Sequence, residues 1–296
     1  MREIAFSAFS RAILGLNWMN EKAITVSDNE QTSENIINFE NVYAGYDITP
    51  VLQNVNLRVN TNEHWVILGA NGSGKSTLMK LFSNDLYPSA KYPYTKTIFG
   101  KERWDIFQLK ENLGIITNDL HNRFEANGGD LTAYQVVLSG FYSSIGIFSH
   151  QKYTEEQQIK VQEVLDFLEI TPIKDKKVSQ MSTGQLRRCI IGRALIHEPK
   201  AFILDEPTVG LDIKAQNNFI KLIEKLSKKA SIILVTHNIE EIFSGITHVA
   251  LIHNKTIFKQ GKKENVLTSE NLSEIFGIKI NLQKENHRYY IKSIDQ

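Results

Sequence analysis

The residues Gly69-Ala70-Asn71-Gly72-Ser73-Gly74-Lys75-Ser76-Thr77 carry chemistry that can be read before any fold is assigned. Glycine tolerates backbone angles closed to other residues, so Gly69, Gly72 and Gly74 let the chain turn tightly and aim successive N–H groups inward, a nest for anionic oxygens. Lys75 supplies a mobile positive charge for phosphate oxygens. The Ser76 hydroxyl is a hard oxygen donor of the kind Mg²⁺ accepts. The pattern specifies a phosphate-binding loop if a strand precedes it and a helix follows. Asn71, Ser73 and Thr77 are then also expected at the ligand.

Further along, Asp205 and Glu206 follow the apolar run Phe202-Ile203-Leu204 and precede Pro207. Carboxylates at the carboxyl end of a buried strand lie where open parallel sheets bind ligands. Asp205 is expected to hold Mg²⁺ through water, and Glu206 to polarise an attacking water, since phosphoryl transfer depends on positioning and charge neutralisation. Ser182-Thr183-Gly184-Gln185 has the spacing of a helix capping box. The same helix start can also present N–H groups and the Ser182 hydroxyl to a phosphate, and the two readings are compatible. His237 follows Ile232-Ile233-Leu234-Val235-Thr236. If that run is a strand beside the acidic one, the imidazole is placed to reach a terminal phosphate.

These groups need a scaffold of strands and helices. Trp65-Val66-Ile67-Leu68, Phe202-Ile203-Leu204, Ile232–Val235 and Val249-Ala250-Leu251-Ile252 read as buried strands. Ile36–Phe39 and the alternating Val55, Leu57 and Val59 read as further strands. Leu78, Met79, Leu81 and Phe82 keep helical spacing, as do Val161, Val164, Leu165 and Leu168, and Phe219, Leu222, Ile223 and Leu226. Strands alternating with helices predict an α/β fold with a largely parallel sheet. Residues 120–183 lack strand runs and predict a helical subdomain, with an apolar, aromatic-rich stretch from Val136 to Phe148. The tail predicts a helix over Ser269–Phe276, then an alternation of Ile278, Ile280 and Leu282. No internal repeat is visible.

Composition narrows the function. With 34 Lys and Arg against 33 Asp and Glu, the net charge of +1 gives no electrostatic ground for a nucleic-acid partner. Cys189 is the single cysteine, which rules out an intrachain disulfide and fits a reducing compartment. No apolar run approaches the roughly 20 residues a membrane helix requires, so any work at a membrane needs a partner that crosses it. Near the start, Phe6, Phe9, Ile13 and Leu16 share a helical face. An interfacial helix and a native start at Met19 both accommodate them, and the Met19 start is preferred. Asn20–Asn35 is polar and aperiodic, an unstructured lead-in.

Taken in order, Gly69–Thr77, Met181–Gln185, Ile203–Pro207, Gly210-Leu211-Asp212 and His237 resemble the ABC superfamily of ATP-binding cassettes over about residues 36–276, with Met181–Gln185 matching the family's signature motif. The resemblance implies a P-loop NTPase (RecA-like) core, an antiparallel β portion and an inserted helical subdomain. It divides the chain into a lead-in over 1–34, an ATPase domain over 35–276 with the subdomain at about 120–185, and a tail over 277–296. ATP and Mg²⁺ are the implied cofactors. The implied roles are Tyr46 stacking on adenine, Lys75, Glu206 and His237 in catalysis, Ser76, Asp205 and Asn118 on the metal, and Ser182, Gly184 and Gln185 on the nucleotide of a second cassette. Asp212 is the implied loop residue crossing a head-to-tail dimer. A membrane permease partner follows, with the chain cytoplasmic and peripheral to the inner face. The tail resembles importer cassettes for metal chelates or molybdate-like oxyanions. A soluble, non-transporting ABC ATPase with a translational, nucleic-acid or regulatory role is the other reading. Two residues depart from the family pattern. Thr183 replaces a glycine, and Asn118 stands where a metal-linked glutamine is expected, with the same amide on a side chain one methylene shorter. The second departure predicts weakened coupling to a partner rather than lost ATP binding.

Overall fold

A computed structural model describes residues 34–46, 49–147, 152–285 and 288–295. The pattern of Phe6, Phe9, Ile13 and Leu16, the Met19 start and Phe148 lie outside the described residues.

Two sheets form the body. The larger has six strands: β3 (Trp65–Gly69), β5 (Leu113–Ile116), β6 (Ala201–Asp205), β7 (Ser231–Thr236), β8 (His248–His253) and β9 (Thr256–Lys262). Their order is β5-β6-β7-β3-β8-β9, parallel except for the antiparallel edge strand β9. The smaller sheet is antiparallel with order β2-β1-β4, from β1 (Asn35–Tyr46), β2 (Thr49–Asn60) and β4 (Thr95–Ile98).

The apolar runs are continuous because both faces of the large sheet are covered. Val66, Leu68, Phe202, Leu204, Ile232, Leu234, Val249 and Leu251 point into a core shared with helices. Their alternating neighbours Trp65, Ile67, Ala201, Ile203, Ile233, Val235, Ala250 and Ile252 point into a second core shared with the small sheet. Each fully buried Leu, Ile, Val or Phe contributes roughly 1.5–3 kcal/mol, so register in this sheet is strongly fixed.

Six helices matter to the site: α1 (Lys75–Phe82), α2 (Ile106–Asn112), α3 (Asn118–Asn127), α4 (Ala133–Leu138), α5 (Glu155–Phe167) and α6 (Thr183–Leu195). Among the described residues between α3 and α6 there are helices and turns and no named strand, as the sequence predicts. Val136, Val137, Val161, Val164, Leu165, Cys189 and Ile190 pack together there. Capping boxes start α4 (Thr132 with Gln135), α5 (Thr154 with Gln157) and α6 (Ser182 with Gln185).

After α6 come α7 (Ile213–Ser227), α8 (Lys263–Val266) and α9 (Ser269–Phe276). The expected tail helix is α9. The alternation after it forms β10 (Lys279–Glu285), paired with β11 (Arg288–Asp295). Ile280 is buried and Leu282 partly so, but Ile278 precedes the strand and is exposed.

Candidate functional site

The glycine-rich loop runs from the carboxyl end of β3, at the centre of the large sheet, into α1. Gly74 caps α1 at φ 110°, a backbone angle that a residue with Cβ resists, and a Cβ there would lie 2.5 Å from Leu52 Cδ2 on β2. Thus the loop's shape depends on the small sheet as well as on its own glycines. Lys75 is buried, and its Nζ donates to the Gly69 and Ala70 carbonyls at 2.8 and 3.0 Å. Burial lowers its pKa, with Glu206 and Asp205 opposing that shift. The Ser73 hydroxyl is buried without a hydrogen-bond partner, and Ser76 is exposed at the loop's end.

Strands β6 and β7 lie next to β3 on one side, which brings their carboxyl ends to this loop. Asp205 ends β6, and its pKa is raised to about 6, first by burial and then by the neighbouring Glu206 carboxylate. Glu206 takes φ 44°, in the left-handed region, where a non-glycine residue costs on the order of 1–3 kcal/mol. Its N–H donates to Val235 O at 2.8 Å, extending the β6–β7 ladder, and its Oε1 is hydrogen-bonded to His237 Nδ1 at 2.7 Å.

One cleft of about 1130 Å³ gathers Asn71, Gly72, Gly74, Lys75, Ser76, Thr77, Asn118, Asp205 and Glu206 along its wall. Gly69, Ser73 and His237 do not line it, and His237 reaches it only through its hydrogen bond to Glu206. Tyr46, at the end of β1, is 47% exposed and lies with the Lys80 ammonium 4.9 Å from its ring centre. Ser182, Gly184 and Gln185 start α6 outside the cleft. Gln185 closes its capping box on the Ser182 N–H at 3.0 Å and accepts from Lys176 at 3.0 Å. Asp212 caps α7, accepting from Ala215 N at 2.8 Å.

Asn118 differs from a free loop amide. It is the first residue of α3, with Thr117 as the cap, and its Oδ1 accepts from Arg187 Nη2 at 3.0 Å. Arg187 is a residue the sequence reading missed. The available signal was an arginine sharing the buried face of α6 with Ile190 and Ile191. Glu241 was also missed. Only 2% exposed, it accepts from the Thr208 N–H at 3.0 Å and from the Thr208 hydroxyl, fixing the turn after Pro207.

A sequence model of the ABC transporter family matches residues 52–209, and the chain belongs to that family. The ABC transporter ATP-binding protein YmeB of Lactococcus lactis is 27% identical over 260 residues, 86% of this chain and 98% of its own. The structure of CbiO1 from Clostridium perfringens, part of the ABC transporter complex CbiONQ, has TM-score 0.69 at 28% identity, covering 81% of this chain and 94% of CbiO1. The cassette MJ0796, in a dimeric post-hydrolysis state bound to ADP and Pi, has TM-score 0.59 at 25% identity, covering 76% of this chain and 98% of its own. This chain is an ATP-binding and ATP-hydrolysing cassette of an ABC transporter. Among the described residues, no helix is long and apolar enough to cross a membrane.

Proposed function

We propose that this cassette hydrolyses ATP as a head-to-tail dimer, each nucleotide lying between one copy's Lys75 loop and the other copy's Ser182 helix start. The observation that carries the reading is the separation within one chain: Lys75, Ser76, Asp205 and Glu206 line the cleft, while Ser182, Gly184 and Gln185 stand outside it. The start of α6, with a positive helix end, can receive a phosphate brought by another copy. Two apolar side chains left in solvent near Asp212 also suit such a contact, Val209 at 46% and Ile213 at 87% exposure. The dimeric state of MJ0796 bound to ADP and Pi supports a dimer as the working form.

In this reading Tyr46 stacks on adenine, and the loop N–H groups with Lys75 hold the β and γ phosphates. Glu206 accepts a proton from, and aligns, the attacking water. His237 fixes the Glu206 carboxylate at one oxygen and faces the terminal phosphate. The donor set fits Mg²⁺: the Ser76 hydroxyl and the Asp205 carboxylate are hard oxygens in one cleft, and phosphates and waters complete such a shell. The ion would neutralise charge on the phosphates. Asn118 lies in the same cleft, but its amide oxygen is already engaged by Arg187, so we assign it to the coupling between α3 and α6 rather than to the metal.

We also propose the finer division of the chain, with the cassette over 35–276, its helical subdomain over about 120–185 and a tail over 277–296. A membrane permease partner places the protein on the inner face of the membrane, in the cytoplasm. CbiO1 belongs to a transporter complex, which supports this reading over a soluble, non-transporting role.

The test is Glu206→Gln. It should retain ATP, lose turnover and accumulate as an ATP-held dimer in sedimentation. A variant that is loaded with ATP and strictly monomeric would count against the sandwich.

A further inference from the structure

Arg187 makes three hydrogen bonds, all to uncharged oxygens. Nη1 donates to Glu206 O at 3.2 Å and to Pro207 O, and Nη2 donates to Asn118 Oδ1 at 3.0 Å. The residue is 5% exposed. A buried cation whose hydrogen bonds all go to neutral acceptors, with the Glu241 and Glu125 carboxylates acting on it only through space, is a costly way to stabilise a fold, because desolvation of the charge is recovered only in part. Its placement suggests another use. The two carbonyls it grips belong to the consecutive Glu206–Pro207 and Pro207–Thr208 peptides, directly after the Cα of the residue held at φ 44°. On the other side, the Glu206 N–H is tied to Val235 O. A strained residue persists only where its surroundings over-determine it, and these bonds hold Glu206 from both sides.

We propose that Arg187 is a positioning residue for hydrolysis, fixing the backbone of Glu206 and tying it to α6 and to Asn118. The inference rests on the assignment of Glu206 as the residue that aligns water. Its content is mechanical. Arg187 lies on α6, five residues after Ser182, so a shift of that helix on a partner's nucleotide moves the guanidinium. The guanidinium then moves the Glu206–Pro207 peptide and the start of α3 together. Through Arg187 the chain links three elements, α3, α6 and the end of β6, by side-chain hydrogen bonds that require neither metal nor nucleotide. Glutamine cannot span the three acceptors, and lysine can reach one or two of them with its charge intact.

The experiment is steady-state phosphate release against Mg²⁺–ATP concentration for Arg187→Gln and Arg187→Lys. Displacement of a fluorescent nucleotide and thermal unfolding are measured on the same samples. Arg187→Gln should lower kcat about tenfold, with KM and nucleotide affinity within about twofold of the parent. Arg187→Lys should recover part of the loss, to about threefold below the parent. A residue serving only the fold would lower the melting temperature and weaken nucleotide binding alongside kcat. A folded Arg187→Gln with parental kcat, or with kcat and affinity falling together, overturns the proposal. If Arg187→Gln does not fold, Arg187→Lys decides: reduced kcat at unchanged KM supports it, and parental kcat overturns it. Glu206→Gln is run in parallel. Normal turnover there would remove the assignment of Glu206 itself. A dead Glu206→Gln beside parental Arg187 variants would remove this inference alone.

Discussion

His237 Nδ1 stands 2.7 Å from Glu206 Oε1, and the two side chains come from the ends of neighbouring parallel strands. The contact fixes one carboxylate oxygen and leaves the other free. A proton acceptor held this way contributes on the order of 10²–10⁴ in rate. His237→Ala removes the contact that orients the acceptor and should therefore slow turnover by up to that factor while leaving ATP affinity within a few-fold. Phosphate release and nucleotide displacement measured together check this. A fall in affinity as large as the fall in rate would place His237 in binding rather than in hydrolysis.

Lys75 is held by the carbonyls of its own loop and faces two carboxylates across the cleft. Replacing it with alanine removes the main side-chain charge available to the phosphates. A charge-assisted hydrogen bond is worth about 1.5–3 kcal/mol, so Lys75→Ala should weaken ATP binding roughly 10–100-fold. Equal ATP affinity for variant and parent would sink the assignment of the loop.

Gly74→Ala tests the dependence of the loop on β2. The substitution meets both the φ of 110° and Leu52 Cδ2 at 2.5 Å. Loss of stability should be about 1–3 kcal/mol, with weakened ATP binding. Adding Leu52→Ala should relieve the clash but not the backbone cost, so the double variant stays defective in nucleotide binding. Urea unfolding and nucleotide titration separate the two effects. Full recovery of binding would show that the clash alone matters.

Acid sensitivity should trace in part to His64. Its Nδ1 accepts a hydrogen bond from the Ile232 N–H at 3.1 Å, and burial lowers its pKa. The folded protein thus resists protonating a group that the unfolded chain protonates near its ordinary pKa of about 6.5. The stability His64 contributes is present above that value and lost as pH falls through the lowered one. Between pH 7.5 and 5.5 the parent should lose more stability than His64→Gln. The excess is a fraction of the roughly 1.4 kcal/mol per pH unit that one full proton gives, since His64 is only part-buried. Identical pH profiles for the two proteins would exclude His64 as a contributor.

The parts of the site that sit on one continuous stretch were legible in the sequence. Gly69–Thr77 carries its strand, turn and helix start within a few residues, and Asp205–Glu206 ends a short apolar run closed by Pro207, which reads as a buried strand. Ser182 and Gln185 announced their capping box by spacing alone. Contacts that join distant stretches were not legible. Nothing near Asn118 marks it as the first residue of a helix whose side chain meets Arg187, because that pairing depends on how α3 and α6 pack. Strands β4 and β5 are four residues each and draw their stability from β1 and β6. Their own residues, Thr95-Lys96-Thr97-Ile98 and Leu113–Ile116, are too few to show a period. The long partner strand β1 was read only over Ile36–Phe39, since Asn41, at φ 53°, and the register shifts beyond it break the alternation.

The placement of Ser182 outside the cleft that holds Lys75 has a genetic corollary. If each reaction centre draws on two copies, two inactive alleles can complement one another. A protomer carrying Lys75→Ala keeps a sound α6 start, and one carrying a bulky residue at Ser182 keeps a sound phosphate loop. Their heterodimer has one centre with both defects and one with neither. Co-expression of the two alleles should restore a portion of the activity that each lacks alone, and a chain holding a complete centre within itself has no means of doing so.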